Sequence, residues 1–497
     1  MPVTSARPER LAGPGRDLPA GLLAALRDAT TTHLDDAVLD AHSRDWWPLA
    51  LAWAHRGMTA RRPAAVVEPA TTDEVRAVAR LCHEHRVPLT VAGGRSGVLG
   101  AAIPARGGVV LSTRALRGVA SVDVESGLVE VLAGTMGPEL EDALAPHGLA
   151  VGHHPQSFAL SSVGGWVGAR GAGQYSTRVG TIADLVAGLE VVLADGTLLR
   201  LGPEPASAAG PDLAALFVGA EGALGIVTRA WLRARPAAPA RASAAWRLPT
   251  LAAGIGAMRA ALRAGATPAV LRLYDERETR RAHGGDGTWC ALLVHDEAAP
   301  EIVEATLAVV ARCARAEGAE PADPRLVEAW FAHRDDVSGL HALTARGYVI
   351  DTMEVAAPWS RLASVADDVR TALMAVPGAR SASVHVSHSY VDGACAYFTF
   401  AGEPGGRPTD GERPAGGATA DDLPALEALH AAMWEAGQGA ALRAGATLSH
   451  HHGIGLHRAR WAGEALGTSL GVLASIKRAL DPHGILNPGK WIPADER

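Results

Sequence analysis

Four glycine-dense segments, far apart in a chain of 497 residues, constrain the fold more than any other feature of the sequence. They are residues 92–97, 161–168, 171–173 and 221–228, and small or hydroxyl-bearing residues adjoin each of them. Glycine lets the main chain approach a ligand with no side chain between them, and glycine-rich loops present backbone amides to anions. We therefore expect the four segments to converge on one large cofactor that carries a pyrophosphate and a flat ring system.

The first glycine segment does not carry the signature of a common nucleotide-binding loop. Residues 92–97 read Ala-Gly-Gly-Arg-Ser-Gly. They lack both the Gly-Lys-Ser/Thr ending of a triphosphate-binding loop and the G-x-G-x-x-G spacing of a Rossmann turn. Taken singly, the segment is equally well an ordinary turn. The cofactor hypothesis therefore depends on the four segments together.

Composition and charge exclude several classes of partner. The formal net charge is −7 with no run of basic residues, so nucleic acid is not an expected partner. The four cysteines are widely spaced and form no C-x-x-C pair, which predicts neither a zinc site nor disulfides and favours the reducing cytoplasm. The sequence shows no apolar signal region and no uninterrupted apolar stretch of about twenty residues, so we expect neither a signal peptide nor a transmembrane segment.

Hydrophobic periodicity predicts a mixed α+β architecture. From a cap at Thr72, apolar residues recur at helical spacing up to the break at Pro88, and a short strand then leads into the first glycine segment. Residues 191–201 predict a hairpin around an Asp-Gly turn. The Pro- and Ala-rich residues 235–247 indicate a domain boundary, and the Gly/Pro/Asp-rich residues 402–422 indicate a surface loop. Between these two features, a helix at 300–317 and strands at 269–274 and 394–400 predict a second α+β unit.

The string Ser449-His-His-His-Gly453-Ile-Gly455 indicates a functional site near the C-terminus. Imidazoles titrate near neutral pH, and the adjoining glycines let a ligand approach the backbone. Catalysis by His450, His451 and His452 is the leading interpretation. A metal pair, or rings that are merely packed or solvated, stay open as alternatives, and on a strand only the first and third rings would share one face.

The glycine segments resemble those of a known type of flavoprotein. The strings Ala92-Gly-Gly-Arg-Ser-Gly97, Gly152-His-His-Pro-Gln-Ser157, Val163-Gly-Gly-Trp166 and Glu221-Gly-Ala-Leu-Gly225 are similar to the FAD-binding segments of the vanillyl-alcohol oxidase type. The resemblance implies an α+β fold with a two-subdomain FAD-binding domain and an α+β substrate (cap) domain. The residues that it implies for FAD binding are Val91, Ala92, Gly93, Gly94, Arg95, Ser96, Gly97, His153, Gln156, Ser157, Ser161, Ser162, Gly164, Gly165, Ala169, Arg170, Gly171, Ala172, Glu221, Gly222, Leu224, Gly225, Ile226 and Val227.

The same resemblance divides the chain into four parts. They are an N-terminal helical segment (1–59), the FAD-binding domain (60–237), the substrate or cap domain (238–440), and a C-terminal segment (441–497) that returns to the FAD domain and carries the histidine motif. Residues 482–490 are similar to the terminal motif with which such chains return.

Within this type, the chain resembles the alkylglycerone-phosphate synthase family from about residue 60 onward. The histidine string matches that family's histidine motif, and Gly393-Ala-Cys-Ala-Tyr397-Phe matches the segment with its catalytic tyrosine. Ala269-Val-Leu-Arg272 matches a segment with an important arginine, and Arg334 is similar to another substrate arginine at less regular spacing. The resemblance implies catalysis by Tyr397 and the three histidines, and substrate binding by the two arginines.

The reaction that this resemblance implies exchanges the acyl chain of an acyl-dihydroxyacetone phosphate for a fatty alcohol, through an adduct at flavin N5. The substrate is then a lipid-like phosphate. Relatives that oxidise D-2-hydroxy acids carry a G-H-x-G-D-G-N-x-H metal motif, whereas this chain has a tyrosine in place of the last histidine, so no metal is expected. An FAD-dependent oxidase or dehydrogenase of an alcohol or 2-hydroxy acid is the main alternative, and a catalytically idle FAD- or lipid-binding protein is a third.

Pattern alone leaves some roles open. Tyr397 lies in a predicted strand with an alternating polar and apolar pattern, where a tyrosine is commonly a packing residue. If Tyr397 is catalytic, we expect neighbouring cations to lower its pKa. Arg272 needs an anionic partner, either the substrate phosphate or Asp275 or Glu276. For Arg334, beside two aspartates, a solvated charge cluster is the alternative. Peripheral membrane contact and a homodimer also stay open.

Overall fold

The computed structural model of the protein describes residues 7–11, 18–336, 338–405 and 422–492. Three helices lie near its start: α1 (Ala20–Ala29), α2 (Asp36–Ala41) and α3 (Pro48–Ala54). The surface loop predicted at 402–422 lies almost wholly outside the described residues. The division of the chain at residues 59, 237 and 440 stays a prediction.

The first sheet has four strands and ends at the first glycine segment. Its order is β1 (Thr31–His33), β2 (Ala65–Glu68), β4 (Val109–Ser112) and β3 (Leu89–Ala92), and the last three strands are parallel. Helix α4 (Thr72–His85) connects β2 to β3 and buries the apolar face predicted from its periodicity. The helix cap is Thr71 rather than Thr72, because the Thr71 hydroxyl accepts from the backbone N–H of Glu74 at 3.2 Å.

The second sheet is antiparallel and lies beside the remaining glycine segments. Its order is β5 (Val119–Asp123), β6 (Leu128–Leu132), β10 (Ile226–Arg233), β8 (Val186–Val192) and β9 (Leu198–Leu201). Its connections contain α5 (Gly137–Leu144), α6 (Val163–Ala169), α7 (Ser176–Val179) and α8 (Ile182–Leu185), and a small ladder pairs β7 (Leu149–Ala150) with β11 (Arg235–Pro236). The hairpin predicted at 191–201 is confirmed, because β8 pairs with β9 across the Asp-Gly turn.

The third sheet has seven antiparallel strands. Its order is β15 (Glu320–Ala322), β12 (Ala240–Leu248), β14 (Cys290–Ala298), β13 (Val270–Tyr274), β17 (Ala379–Ser389), β18 (Gly393–Gly402) and β16 (Val349–Pro358). Its helices are α9 (Leu251–Arg263), α10 (Glu276–His283), α11 (Pro300–Ala316), α12 (Arg325–His333), α13 (Ser338–Ala345), α14 (Trp359–Met374) and α15 (Leu423–Arg443). The helix and the two strands predicted between 269 and 400 are therefore confirmed within about two residues.

The C-terminal part of the chain returns to the first sheet. After α16 (Ala462–Leu466) and α17 (Ser469–Leu480), the backbone N–H of Leu89 donates to the Ile485 carbonyl, and the N–H of Asn487 donates to the Leu89 carbonyl, each at 2.8 Å. Leu486 is fully buried in the same apolar cluster as Leu89. Of the helices that the structure describes, none has the length and apolar character needed to cross a bilayer.

Candidate active site

A cavity of about 800 Å³ extends from the first glycine segment to β13, β16, β17 and β18 of the third sheet. This volume is typical of small-molecule and cofactor sites, which range over about 300–1,000 Å³. Most of the residues predicted to bind FAD line it. They are Val91, Gly93, Gly94, Arg95, Ser96, Gly97, His153, Gln156, Ser157, Ser161, Ser162, Gly164, Gly165, Ala169, Gly171, Ala172, Glu221, Gly222, Gly225 and Val227.

Four of the predicted FAD-contacting residues lie outside the cavity wall. Ala92, Leu224 and Ile226 are at most 2% exposed and pack in the apolar core. Arg170 ends helix α6 in a left-handed conformation, and its guanidinium donates to the carbonyl of Val218. These residues support the glycine segments from behind, because motif similarity identifies a segment and not the direction of each side chain.

Close packing explains why the glycine segments tolerate no side chain at several positions. A Cβ atom on Gly94 would overlap the carbonyl oxygen of Leu160, so the first and second glycine segments touch through their backbones. Gly165, by contrast, is exposed to the cavity, and a Cβ there would approach only the Ser162 hydroxyl, at 3.3 Å. The first kind of glycine shapes the wall, and the second leaves room for a ligand.

Several side chains of the cavity wall have buried polar atoms with no hydrogen-bond partner among the described residues, and His153 and Asp45 are two of them. His153 is fully buried against Trp166, its two ring nitrogens have no hydrogen-bond partner, and burial lowers its pKa to about 3. Asp45, beside the first glycine segment, leaves Oδ2 without a partner, and burial raises its pKa to about 7. Such atoms are costly unless a ligand satisfies them. A dinucleotide with ring nitrogens, amide-like groups and phosphates fits these requirements.

Glu221 connects the last glycine segment to the histidine string. Its backbone has a left-handed φ of 49°, and its carboxylate accepts from the N–H groups of Ile454 at 2.9 Å and Gly455 at 3.0 Å. Burial raises the pKa of this carboxyl group. The side-chain amide of Asn487 donates to the Glu221 carbonyl. The C-terminal motif therefore holds both the cofactor segment and the histidines.

Residues 449–453 form a loop, which we call the histidine loop, and not a strand. The expectation that only the first and third rings share a face is therefore wrong. His451 and His452 line the cavity, with ring centroids 4.5 Å apart. His450 does not line it and lies behind, where it is hydrogen bonded to the Tyr390 hydroxyl at 2.7 Å and to Nδ1 of His451 at 2.8 Å.

The residue type led us to expect histidines that titrate near neutral pH, but the pKa of each of the three is lowered. Burial lowers the pKa of His450 to about 4 and the pKa of His451 well below its ordinary value. The pKa of His452 is also lowered, mainly by burial. All three imidazoles are therefore neutral at pH 7 and can accept a proton.

Tyr397 lies beside the two cavity-lining histidines. Its ring stacks on His385 at 4.7 Å and lies 5.5 Å from the ring of His452 and 6.1 Å from that of His451. Its hydroxyl donates to Thr352 at 3.1 Å. Burial raises the pKa of Tyr397, so the expected lowering by nearby cations is wrong. At neutral pH this group is a protonated phenol that can donate.

Arg272 also faces the cavity, but its partners differ from those predicted. Its Nε donates to the Tyr274 hydroxyl and its Nη2 is hydrogen bonded to Nε2 of His385, both at 2.6 Å. Neither predicted carboxylate pairs with it, because Arg370 occupies both of them. Nδ1 of His385 lies 3.4 Å from Oε1 of Glu278, a buried carboxylate. Burial raises the pKa of Glu278, but the interactions with His385 and with the guanidinium groups of Arg281 and Arg272 outweigh it and lower this pKa to about 2.

Arg334 lies on the same side of the cavity. Its guanidinium and that of Arg272 each lie 5.6 Å from the ring of Trp330. Only 17% of its side chain is exposed, Nη1 has no hydrogen-bond partner among the residues that the structure describes, and Asp335 is 3.6 Å from Nε. The Arg334 side chain is therefore mostly buried, whereas its neighbours Asp335 and Asp336 are exposed, so the charge-cluster alternative stays open. Two cations, Arg272 and Arg334, face the same cavity.

One group of side chains near the histidine loop has the composition of a metal site. Cys395, His450 and His451 offer ligand atoms that lie within 4.8 Å of one another. Burial raises the pKa of the Cys395 thiol, which opposes the thiolate form that metals require. The absence of a metal from the reaction stays a prediction.

Some site residues escaped the sequence analysis. His388 lines the cavity at a left-handed φ of 49°, where β17 is irregular, and its Nδ1 is hydrogen bonded to Ser176 at 2.7 Å. Glu354 lies beneath the histidine loop. The sequence signal that could have identified Glu354 was the presence of two acidic residues, Asp351 and Glu354, in the mostly apolar strand β16. Buried carboxylates need specific partners, so such residues indicate a site.

Comparison with known proteins agrees with this geometry. The FAD binding domain family matches residues 63–202, and the family of FAD linked oxidases, C-terminal domain, matches residues 237–491. The chain is 31% identical over 450 residues to the uncharacterized FAD-linked oxidoreductase YgcU of Escherichia coli O157:H7, covering 87% of this chain and 90% of the relative. It is 27% identical over 488 residues to alkyldihydroxyacetonephosphate synthase of Trypanosoma brucei brucei, covering 91% and 76%.

Two solved structures have the same fold. An alkyldihydroxyacetonephosphate synthase superposes with a TM-score of 0.75 at 21% identity, covering 98% of this chain and 88% of that one. A p-cresol methylhydroxylase superposes with a TM-score of 0.72 at 16% identity, covering 95% and 96%. The chain therefore belongs to the FAD-linked oxidase family, binds FAD, and has the α+β fold of the vanillyl-alcohol oxidase type.

Proposed function

We propose that the protein is an FAD-dependent enzyme of the alkylglycerone-phosphate synthase type, which exchanges the acyl chain of an acyl-dihydroxyacetone phosphate for a fatty alcohol. The observation that carries this proposal is that Tyr397, His451 and His452, from segments far apart in the sequence, face the cavity that the FAD-binding segments also line. Arg272 and Arg334 face the same cavity and supply positive charge for a phosphate group.

The protonation states support complementary roles for these side chains. At neutral pH the imidazoles of His451 and His452 are unprotonated and the phenol of Tyr397 is protonated, because burial disfavours the charged form of each. One histidine therefore takes the proton from the carbon next to the substrate ketone. Tyr397 donates a proton to the departing carboxylate. A base and an acid held in opposite states at one pH are the arrangement that general acid–base catalysis needs.

The exchange is balanced without net oxidation. The carbon–oxygen bond to the acyl carboxylate breaks, a carbon–oxygen bond to the alcohol forms, and the alcohol's hydroxyl proton leaves with the fatty acid. FAD bound in this cavity would supply an electrophilic ring system that can also take up two electrons. His153, Asp45 and the backbone of the glycine segments are the groups that would hold it.

Incorporation of labelled alcohol tests this proposal. FAD-loaded protein is incubated with an acyl-dihydroxyacetone phosphate and a fatty alcohol that carries ¹⁸O. We expect the label in the ether oxygen of an alkyl-dihydroxyacetone phosphate and one fatty acid released for each ether formed. FAD-loaded protein that produces neither product would rule the proposal out.

A second candidate is an FAD-dependent oxidase or dehydrogenase of a small alcohol or 2-hydroxy acid. It is supported by the cavity wall around β13, α10 and α12, which is rich in charged side chains of both signs and suits a small polar substrate better than an alkyl chain. They are Arg272, Glu278, Arg281, Arg334, Asp335 and Asp336. The name of the Escherichia coli relative also fits an oxidoreductase.

In this second reaction, His451 or His452 takes the hydroxyl proton while the substrate C–H bond breaks. Steady-state reduction of an artificial electron acceptor by a panel of alcohols and 2-hydroxy acids measures it. Turnover that depends on one member of the panel would favour this candidate over the exchange reaction.

The cytoplasmic location expected from the widely spaced cysteines remains part of either proposal. Cys82, Cys290, Cys313 and Cys395 are free and buried, as is usual in a reducing compartment.

A further inference from the structure

A buried ion pair lies directly beneath the histidine loop. Nη2 of Arg458 donates to Oε2 of Glu354 at 2.6 Å, and neither side chain has any exposed area. The other oxygen, Oε1, accepts three hydrogen bonds from the loop: from the Ser449 hydroxyl at 2.8 Å, the N–H of His451 at 3.0 Å and the N–H of His452 at 2.6 Å. A single carboxylate therefore holds the backbone of both cavity-lining histidines.

Arg458 holds the other end of the loop and the strand that carries Glu354. Its Nη1 donates to the Gly453 carbonyl at 3.3 Å, and its Nη2 also donates to the Glu354 carbonyl at 2.9 Å. Nε donates to Oε1 of Gln438 at 3.2 Å. A buried charge is strongly unfavourable without its partner, so the two residues hold their positions only as a pair.

The carboxylate also acts on the histidines through space. Oε1 of Glu354 lies 3.9 Å from Nδ1 of His452, too far for a hydrogen bond but close enough for a strong electrostatic effect. Its charge favours protonation of His452, while burial and Arg458 oppose it. The other titratable groups that act on this ring are Asp351, His450 and His451, and the Tyr397 ring lies 5.5 Å away. Of the two carboxylates, Glu354 has the larger effect on His452.

We propose that Glu354 and Arg458 are the positioning residues of this active site: the pair fixes the histidine loop, and its carboxylate sets the electrostatic environment of His451 and His452. This inference rests on the catalytic role proposed above for those two histidines. It applies equally to ether exchange and to oxidation, because both reactions use a neutral imidazole as the base.

Hydrogen exchange measures the positioning without reference to any reaction. In the FAD-loaded Glu354→Gln variant the side chain keeps its shape but loses its charge, and hydrogen bonds to charged groups are about twice as strong as neutral ones. We expect the amides of residues 449–453 to exchange at least about tenfold faster than in the parent protein. Asp296→Asn is the matched control, because it breaks another buried pair, with Arg178 at 2.5 Å, away from the loop.

The pH profile of whichever activity is detected supplies a second readout. Since the Glu354 charge favours protonation of His452, its removal should extend activity to lower pH, with a lower maximal rate. The Asp296→Asn control should keep the parent profile, even if its stability falls. A purely structural role for Glu354 would lower the amount of folded protein and leave the profile of the remainder unchanged.

A double variant keeps the inference testable if Glu354→Gln does not fold. Glu354→Gln with Arg458→Met removes both charges, which is often tolerated where a single unpaired charge is not. Fast exchange of the loop amides in either variant, with FAD still bound, is the expected result. Parent-like exchange in the loop would overturn the inference, whatever the reaction. Fast exchange with no activity of either kind in the parent protein would instead count against the proposed function.

Discussion

Replacing Tyr397 by phenylalanine removes one oxygen atom from the active site and leaves the ring in place. The stack on His385, with centroids 4.7 Å apart and planes 13° apart, does not need the hydroxyl, so the cavity and its FAD should be retained. The hydroxyl makes one hydrogen bond, to Thr352 at 3.1 Å. Its loss costs about 0.5–1.5 kcal/mol, which a folded domain of this size withstands.

The effect on the reaction should be much larger than the effect on the fold. If the phenol donates a proton in the transition state, its removal lowers the rate by about 10²–10⁴-fold. The assay is the initial rate of ether formation, or of acceptor reduction, at equal FAD content. Tyr348→Phe is the matched control, because that ring contacts Arg346 and does not line the cavity. A Tyr397→Phe variant with the parent's rate would refute the assignment of Tyr397 as the acid.

Three further predictions concern the cofactor, the buried histidines and metals. Gly165→Ala places a methyl group at the cavity wall and should weaken FAD binding by at least about tenfold in a fluorescence titration, whereas Gly471→Ala, with no atom within 4 Å of its new Cβ, should leave binding unchanged. Burial lowers the pKa of His385 and His450 to about 4, so between about pH 6.5 and 4 the unfolded state binds more protons than the folded state. These two rings therefore lower the Tm as the pH decreases through that window, whereas Asp45, whose pKa burial raises to about 7, acts in the opposite sense. The Tm of a His450→Asn variant should fall less than that of the parent protein, and an equal fall would contradict the buried, neutral state of His450. Dialysis against a chelator should leave the activity of the FAD-loaded protein unchanged, and a loss restored by added zinc would show that the cluster at Cys395 holds a metal.

Local sequence signals predicted the secondary structure around the cofactor well. The periodicity after Thr72 and the Asp-Gly turn at 195–196 depend on neighbours in the chain, and the corresponding helix and hairpin are present. The glycine segments also converge on one cavity, as we expected from their composition. Four of the predicted FAD-contacting residues do not line it, because whether a side chain faces a ligand or the core depends on packing that a motif does not encode, and their contact with FAD stays a prediction.

Protonation states and ion pairs could not be predicted in the same way. The pKa of Tyr397 depends on how far three strands and the histidine loop bury it, and burial outweighs the nearby cations. The carboxylates considered as partners for Arg272 were its neighbours in sequence, yet its contacts come from Tyr274 and from His385 on an adjacent strand. Glu354 was missed for the same reason, since its partners lie about a hundred residues away in the chain.

Anaerobic titration of the flavin spectrum tests the central claim most directly. Oxidised, FAD-loaded protein is mixed without oxygen, first with an acyl-dihydroxyacetone phosphate and then, in a separate sample, with D- and L-2-hydroxy acids. The exchange reaction predicts that the first substrate changes the flavin spectrum, that added fatty alcohol restores it, and that the hydroxy acids have no effect. Lasting bleaching by a hydroxy acid, with no response to the phosphate substrate, would contradict the exchange and establish the oxidoreductase.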